Sequence, residues 1–436
     1  MTGNGSSPLT GITVLEVGAF MAAPFATMQL ADLGARVLKI EVPGAGDPVR
    51  ATGPFVEGQS SPFARLNRNK RSVALDLKSP KGREALLRLA ASADVLVENL
   101  RPGAMRKLGL DFDTVHAAAP RLVYASASGW GQDGPLAALP GLDIMAQARG
   151  GLMSITGTPS GDPTKIGVPI CDLVCALYVA LAVTAALRER DHTGIGQHID
   201  VSLFEAGVSF AVWEAGKYFA TGEVGRPLGS AHQTSAPYQA VRTSDGFVTL
   251  GAVTRKTWTA LCDVLGLSAL LGDERYVDAS ARHANRDPLI GSIEAVTTTW
   301  TSKDLVEALD AAGVPCAPIA NYAEVFNDEH LGVRDYFWDA VHPLMGTVRQ
   351  LGSPMRFSRT PAVRAGAGPV LGDGTRDALR AAGYSDDEIH ALVAEGAASA
   401  SDLTSTDPSL SVEREEPGRR PTAAAREPAA TRKADQ

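Results

Sequence analysis

Between Ile12 and Ala125, short apolar runs alternate with stretches of about ten residues whose apolar side chains recur at helical spacing, a pattern that leaves few folds open. Ile12-Thr-Val-Leu-Glu-Val17 reads as a strand. A Gly-Ala turn follows, Pro24 suits a first helical residue, and Phe25, Met28, Leu30 and Leu33 continue a helix that Gly34 stops. Arg36-Val-Leu-Lys-Ile-Glu41 is the next strand. The alternation goes on with a helix near Lys81 to Ala91, a strand Asp94-Val-Leu-Val97, a helix near Phe112 to Ala119 and a strand Leu122-Val-Tyr-Ala125. Strands joined by helices of this length predict an α/β fold with a doubly wound, mostly parallel sheet and ligands at the carboxyl ends of the strands. The first strand–helix turn, Gly18 to Pro24, lacks G-x-G-x-x-G, and no G-x-x-x-x-G-K-[ST] occurs. Both omissions argue against a nicotinamide enzyme and a simple nucleotide hydrolase.

A second constraint is Gly167-Val-Pro-Ile-Cys-Asp172, which runs into the apolar segment Leu173 to Leu187. That segment is shorter than the roughly 18 residues a bilayer needs, so it reads as a core helix with no membrane partner. Asp172 at its start is either a helix N-cap or a carboxylate nucleophile, held ionised by the helix N-terminus and surrounded by apolar walls that exclude water. Next come an alternating strand Gln197 to Ser202, a helical segment Leu203 to Tyr218, and a polar Gly/Pro-containing stretch. The expected organisation is a large domain beginning with residues 8–220, a linker over 221–236, a smaller α+β domain over 237–330, and a return segment over 331–397 that completes the large domain. The small domain should hold strand Phe247 to Gly251, helices at 255–265, 287–298 and 303–312, and an extended Cys316 to Ile319; the return should hold strands Thr347 to Arg349 and Met355 to Phe357 and one helix over Thr375 to Ala394. Residues 398–436 contain no aromatic side chain and read as a disordered tail.

A net charge of −8 and a pI near 5.6 disfavour nucleic acid or an anionic lipid surface as partner, so any anionic ligand needs local positive charge. Arg50, the cluster Asn67-Arg-Asn-Lys-Arg71 and Asn99-Leu-Arg-Pro-Gly103 all fall after or between strands, where phosphates are commonly held. Taken singly, each also suits a solvated charge run or a loop cap. Cys171, Cys175, Cys262 and Cys316 form no disulfide framework or zinc spacing, and the eight histidines show no H-E-x-x-H; no metal is expected. His198, Asp200 and Ser202 lie together without a G-x-S-x-G elbow, which disfavours a serine hydrolase. The first residues carry no secretory pattern, and a cytoplasmic location is expected.

Leu15-Glu-Val-Gly-Ala-Phe-Met-Ala-Ala-Pro-Phe25, Leu30 to Glu41, Asn69-Lys-Arg-Ser-Val-Ala-Leu-Asp-Leu-Lys78, Ala93-Asp-Val-Leu-Val-Glu-Asn-Leu-Arg-Pro-Gly103 and Leu371-Gly-Asp-Gly-Thr-Arg376 resemble the class III coenzyme A transferases, the CaiB/BaiF type, from about Leu9 to Gly396. That family includes formyl-CoA and carnitinyl-CoA transferases and α-methylacyl-CoA racemases. The resemblance implies a Rossmann-like large domain built from both ends of the chain, a smaller domain, and two interlocked subunits. It places the catalytic aspartate at Asp172 and coenzyme A contacts at Ala19, Phe20, Met21, Leu75, Lys78, Asn99, Leu100 and Lys107, with Arg50 added on charge; Val42 stands where some members have an arginine. Leu142, Asp143, His232 and Gln233 are the substrate-side candidates. No permanently bound cofactor is implied, coenzyme A and acyl-CoA being substrates. The racemases have a histidine at the position of Leu142 and a glutamate at that of Thr254, and proton exchange on two faces of a carbon needs two bases. The expectation is therefore an acyl-CoA:carboxylate CoA-transferase working through an aspartyl anhydride and an aspartyl-CoA thioester, acting on small carboxylic acids. The alternatives are an acyl-CoA racemase or epimerase and a non-catalytic CoA-binding protein.

Overall fold

The computed structural model describes residues 7–403. Six parallel strands form the main sheet: β1 (Thr13–Val17), β2 (Arg36–Glu41), β3 (Lys70–Leu75), β4 (Val95–Glu98), β5 (Val123–Ser128) and β6 (His198–Ser202). Their spatial order is β3-β2-β1-β4-β5-β6, so the chain reverses its direction of travel across the sheet between β1 and β4. In such sheets the crevice outside the strand ends at the reversal is the natural ligand site.

Two helical layers cover the sheet. On one face α1 (Ala22–Asp32) packs against the long helix Ile170–Thr193, joined by the short helices Asp143–Arg149, Leu152–Ile155 and Leu203–Val208. Small side chains at Ala22, Ala23 and Ala26 let α1 approach Val14, Val37 and the buried stripe Cys175, Val179 and Val183. On the other face α2 (Pro80–Ser92), α3 (Ala104–Leu108) and α4 (Phe112–Ala118) bury Leu86, Leu89, Met105 and Val115 against Leu15, Leu38 and Leu96.

In chain order the next helices are α5 (Asp143–Arg149), α6 (Leu152–Ile155), α7 (Ile170–Thr193), α8 (Leu203–Val208) and α9 (Val212–Thr221). The segment expected as one helix from Leu203 to Tyr218 is thus two. Helix α7 has 24 residues and is long and apolar enough to cross a bilayer, so the length argument against a membrane span does not hold for it. Half of its most apolar window is buried between α1 and the sheet, which is the placement of a core helix.

Residues 238–318 form the smaller unit, an antiparallel sheet of β7 (Tyr238–Arg242), β8 (Phe247–Gly251) and β9 (Cys316–Pro318) with β8 central. Helices Arg255–Leu265, Arg286–Thr297 and Ser302–Ala311 close its core with Trp258, Leu261, Leu289, Ile293 and Leu305. Buried Arg282 ties the incoming chain to this core, donating to the carbonyls of Ala236, Tyr276 and Val253. Residues 222–237, which lead into it, have no helix or strand.

The chain then returns through a hairpin, β10 (Phe337–His342) and β11 (Gly346–Leu351), whose first strand the sequence reading missed. Met355 to Phe357, expected as a strand, is irregular. The expected single terminal helix is two, Thr375–Ala381 and Asp386–Ala394, separated by a turn with Gly383 at φ +88°. The start of the tail is also corrected: β12 (Ala398–Ser399) pairs antiparallel with β3 and adds a seventh strand, because Ala398 is buried against the α2 side of the core. The rest of the proposed tail, 404–436, lies outside the described residues.

Candidate active site

A cavity of about 540 Å³ opens at the carboxyl ends of β1, β2 and β3. Its walls are Val17 to Ala19, Ile40 to Pro43, Leu75 to Lys78, Leu100 and Leu108, with Gly396 brought in from the far end of the chain. Of the expected coenzyme A contacts, Ala19, Leu75, Lys78 and Leu100 line it, as does Val42. Lys78 and Lys107 are exposed at this end of the sheet and make no ion pair among the described residues.

Three of the other candidates shape this rim. Asn99 Oδ1 accepts from Ala19 N at 3.0 Å while its Nδ2 donates to Ala19 O at 2.8 Å, so the turns after β1 and β4 are locked together. A Cβ at Gly18 would stand 2.7 Å from Asn99 Oδ1, which is why that turn begins on glycine. Phe20 has φ +62° and is 59% exposed, and Met21 caps α1. Few non-glycine residues adopt that backbone region, and holding one there requires outside support. Asp47 supplies it by accepting from Phe20 N at 3.3 Å.

Beneath the turn lies a buried charge network that sequence reasoning did not find. Glu16 receives Lys39 at 2.5 Å, Lys70 at 2.7 Å and the Thr27 hydroxyl at 2.6 Å; Lys39 also binds Asp47 at 2.8 Å and the Gly18 carbonyl at 3.0 Å. Burial alone would raise the Glu16 pKa, but the Lys39 and Lys70 ammoniums hold it at about 2. The signal was present in Leu-Glu-Val and Leu-Lys-Ile, where a charge interrupts a fully apolar strand and so requires a buried partner.

Arg50 and the basic residues of the 67–71 cluster are used internally. Arg50 forks onto Glu41 at 2.7 Å and lies over Phe63, so its charge is committed to a wall rather than offered to the cavity. In the cluster 67–71, Arg68 pairs with Asp32, Lys70 with Glu16, and Arg71 with Asp373 and Asp377. These residues build β3 and its links to the return segment, which corrects their reading as a ligand-facing patch.

Asp172 lies beyond the β5 and β6 side of the sheet and does not line that cavity. It is the third residue of α7, whose N-cap is Pro169, so Asp172 is not the cap. Its carboxylate receives no hydrogen bond from any described residue, and its pKa is raised to about 7 by burial first and then by the charge of Asp143. The expectation that the helix terminus holds it ionised is thereby corrected. Asp143, the first residue of α5, takes that terminus instead: its Oδ1 accepts from Cys171 N at 2.9 Å and Asp172 N at 3.4 Å. Leu142 precedes it, 62% exposed, and Thr254 caps the helix Arg255–Leu265.

His232 and Gln233 belong to a separate feature. His232 stacks on Tyr238 at 4.9 Å and meets Trp213 edge-on, while Gln233 donates to Glu214 at 3.1 Å. Gln233 borders a cavity of about 940 Å³ between α9, the linker and His283 to Pro288. The fold thus presents a largely apolar crevice at the carboxyl ends of β1 to β3, with Lys78 on its wall, and apart from it a part-buried carboxylate on the first turn of a core helix.

The CoA-transferase family III model matches residues 9–375, and the chain belongs to that family. It is 35% identical over 396 residues to the succinyl-CoA:glutarate CoA-transferase of Mus musculus, covering 89% of this chain and 90% of that protein. It is 36% identical over 352 residues to the acetyl-CoA:oxalate CoA-transferase of Acetobacter aceti, covering 80% and 89%. A crystal structure of a CAIB/BAIF family protein from Brucella suis superposes with a TM-score of 0.78 at 38% identity, covering 86% of this chain and 99% of that one. The chain is therefore an enzyme of the CoA-transferase class.

Proposed function

We propose that this enzyme moves coenzyme A from an acyl-CoA to a carboxylic acid, with Asp172 as the covalent carrier. The Asp172 carboxylate attacks the thioester carbonyl, giving an aspartyl–acyl anhydride and a CoA thiolate. The thiolate attacks the aspartyl carbonyl, releasing the donor acid and leaving an aspartyl-CoA thioester. The acceptor carboxylate then attacks that thioester to give a second anhydride and thiolate, and the thiolate takes the acceptor acyl group while Asp172 is regenerated. Each step exchanges one acyl bond for another, so no nucleotide hydrolysis is required.

The observation that carries this reading is the Asp172 carboxylate itself, part-buried on the first turn of α7 with no hydrogen-bond donor among the described residues. A part-buried carboxylate with no protein hydrogen-bond donor and a second carboxylate beside it is disfavoured as an anion, and acylation discharges it. The cavity at β1–β3 suits the nucleotide end of coenzyme A, with Lys78 and Lys107 for its phosphates. A dicarboxylate acceptor agrees with the names of the relatives. An interlocked dimer agrees with the exposed apolar side chains of α7 and α9, Leu181, Val212, Trp213 and Phe219. A cytoplasmic location is part of the same reading.

The test is to incubate the protein with succinyl-CoA and acetyl-CoA, with and without labelled dicarboxylates, and to map adducts by peptide mass. A CoA or acyl adduct on the peptide holding Asp172, lost in D172N together with exchange, is the expected result. Exchange that survives D172N overturns the proposal.

A further inference from the structure

Helix α7 begins without a cap of its own. Pro169 has no side-chain acceptor, so the N–H groups of the first turn must find one elsewhere. Cys171 N and Asp172 N find it in Asp143 Oδ1, on a different helix and 28 and 29 residues away. The other oxygen, Asp143 Oδ2, accepts from Gln147 Nε2 at 2.7 Å. Gln147 is fully buried, and its Oε1 accepts from Ile166 N at 2.9 Å, so the clamp runs from the loop before α7 through α5 to the first turn of α7. From the other side α8 leaves no slack: a Cβ on Gly207 would stand 2.8 Å from Cys171 Sγ.

Two carboxylates therefore compete for one helix terminus, and Asp143 holds the donors. We infer that Asp143, aimed by Gln147, is a positioning residue for the transfer reaction: it fixes the first turn of α7 and keeps that turn's N–H groups from quenching the Asp172 carboxylate. A carboxylate satisfied by helix N–H groups is a stabilised and weak nucleophile, whereas one denied them keeps its lone pairs for the thioester. Asp143 also adds its own negative charge, which, after burial, is the cause acting on Asp172. The other acids on elements packed against α7, Asp200 on β6 and Glu205 on α8, are not among the causes acting on it. The thiols on α7 itself, Cys171 and Cys175, are pushed well up by burial and stay neutral.

This inference rests on Asp172 being the nucleophile, and its test separates the two. The pH profile of kcat/KM is measured for the wild type, D143N and Gln147→Leu, each with adduct mapping at Asp172. Removing the like charge should move the acid limb of D143N down by about 1 pH unit, with the Asp172 adduct still formed. Gln147→Leu keeps the charge but loosens its aim, so its limb should stay in place while kcat falls about tenfold. An unmoved or raised limb in folded D143N overturns the inference. Should D143N fail to fold, wild-type kcat in Gln147→Leu overturns it equally. Failure of the nucleophile reading is distinct: it shows as no adduct on Asp172 in the wild type.

Discussion

Replacing Glu16 by Gln should expose how strongly the floor of the crevice depends on one carboxylate. Glu16 is completely buried and is the anion shared by two buried ammoniums, Lys39 at 2.5 Å and Lys70 at 2.7 Å. Lys39 keeps a second carboxylate in Asp47 at 2.8 Å, but Lys70 is left with only the Pro24 carbonyl and the Asn67 amide oxygen. Lowering Glu16 from its ordinary 4.5 to about 2 corresponds, at 1.36 kcal/mol per decade, to about 3 kcal/mol, present above pH 4.5 and lost as the pH falls through 2. Breaking a buried pair from one side costs a similar 3–5 kcal/mol or so. E16Q should therefore lose about 3 kcal/mol at pH 7. The pH dependence has a defined sign. Burial already pushes Lys70 down to about 8, and without Glu16 it falls further, so the folded variant gives up a proton that the unfolded chain keeps. The deficit should widen as pH drops from 8 to 6 and shrink toward pH 9, where Lys70 of the wild type is also largely neutral. Urea unfolding at fixed protein concentration, followed by circular dichroism at pH 6, 7.5 and 9, reads this directly. A deficit below about 1 kcal/mol at pH 6, or one constant across the range, would refute the account.

Two further outcomes follow from the same geometry. Asn99→Ala removes both bonds to Ala19, worth about 1 kcal/mol each, and should raise the KM for acyl-CoA roughly tenfold with little change in kcat; a fall in kcat at unchanged KM would place Asn99 in the chemistry instead. Gly207→Ala pushes a methyl group against Cys171 and should cut kcat far more than it lowers the melting temperature, whereas equal wild-type kinetics would mean that the first turn of α7 tolerates displacement.

Elements governed by local pattern were legible in the sequence. Arg36 to Glu41 and Phe247 to Gly251 are strands at their expected bounds, and the helix beginning near Lys81 is displaced by one residue. Pro24 misled slightly, since α1 starts at Ala22 and tolerates proline at its third position, where the missing N–H has no intrahelical partner to lose. Strand β3 was missed because Lys70 and Arg71 read as surface charge; their partners, Glu16 and Asp373, are 54 and 302 residues away. Local spacing cannot see such pairs. Asp172 stood out through its neighbours, but what surrounds it did not, because Asp143 and Gln147 look like ordinary polar positions on an amphipathic helix until α5 is laid across the start of α7.

The crevice is bounded on one side by residues near the start of the chain and on the other by Gly396, and β3 is flanked by a strand from residues 398–399. Ser72 N and the Asp373 carboxylate that receives it are 301 residues apart. At roughly 5–20 residues per second, a ribosome needs about 15 to 60 s to deliver the second after the first. Throughout that interval the nascent polypeptide carries an unfinished sheet with an open hydrogen-bonding edge, the kind of surface that invites mispairing. Cellular yield of this enzyme should thus respond to chaperone supply during translation more than to the stability of the finished molecule.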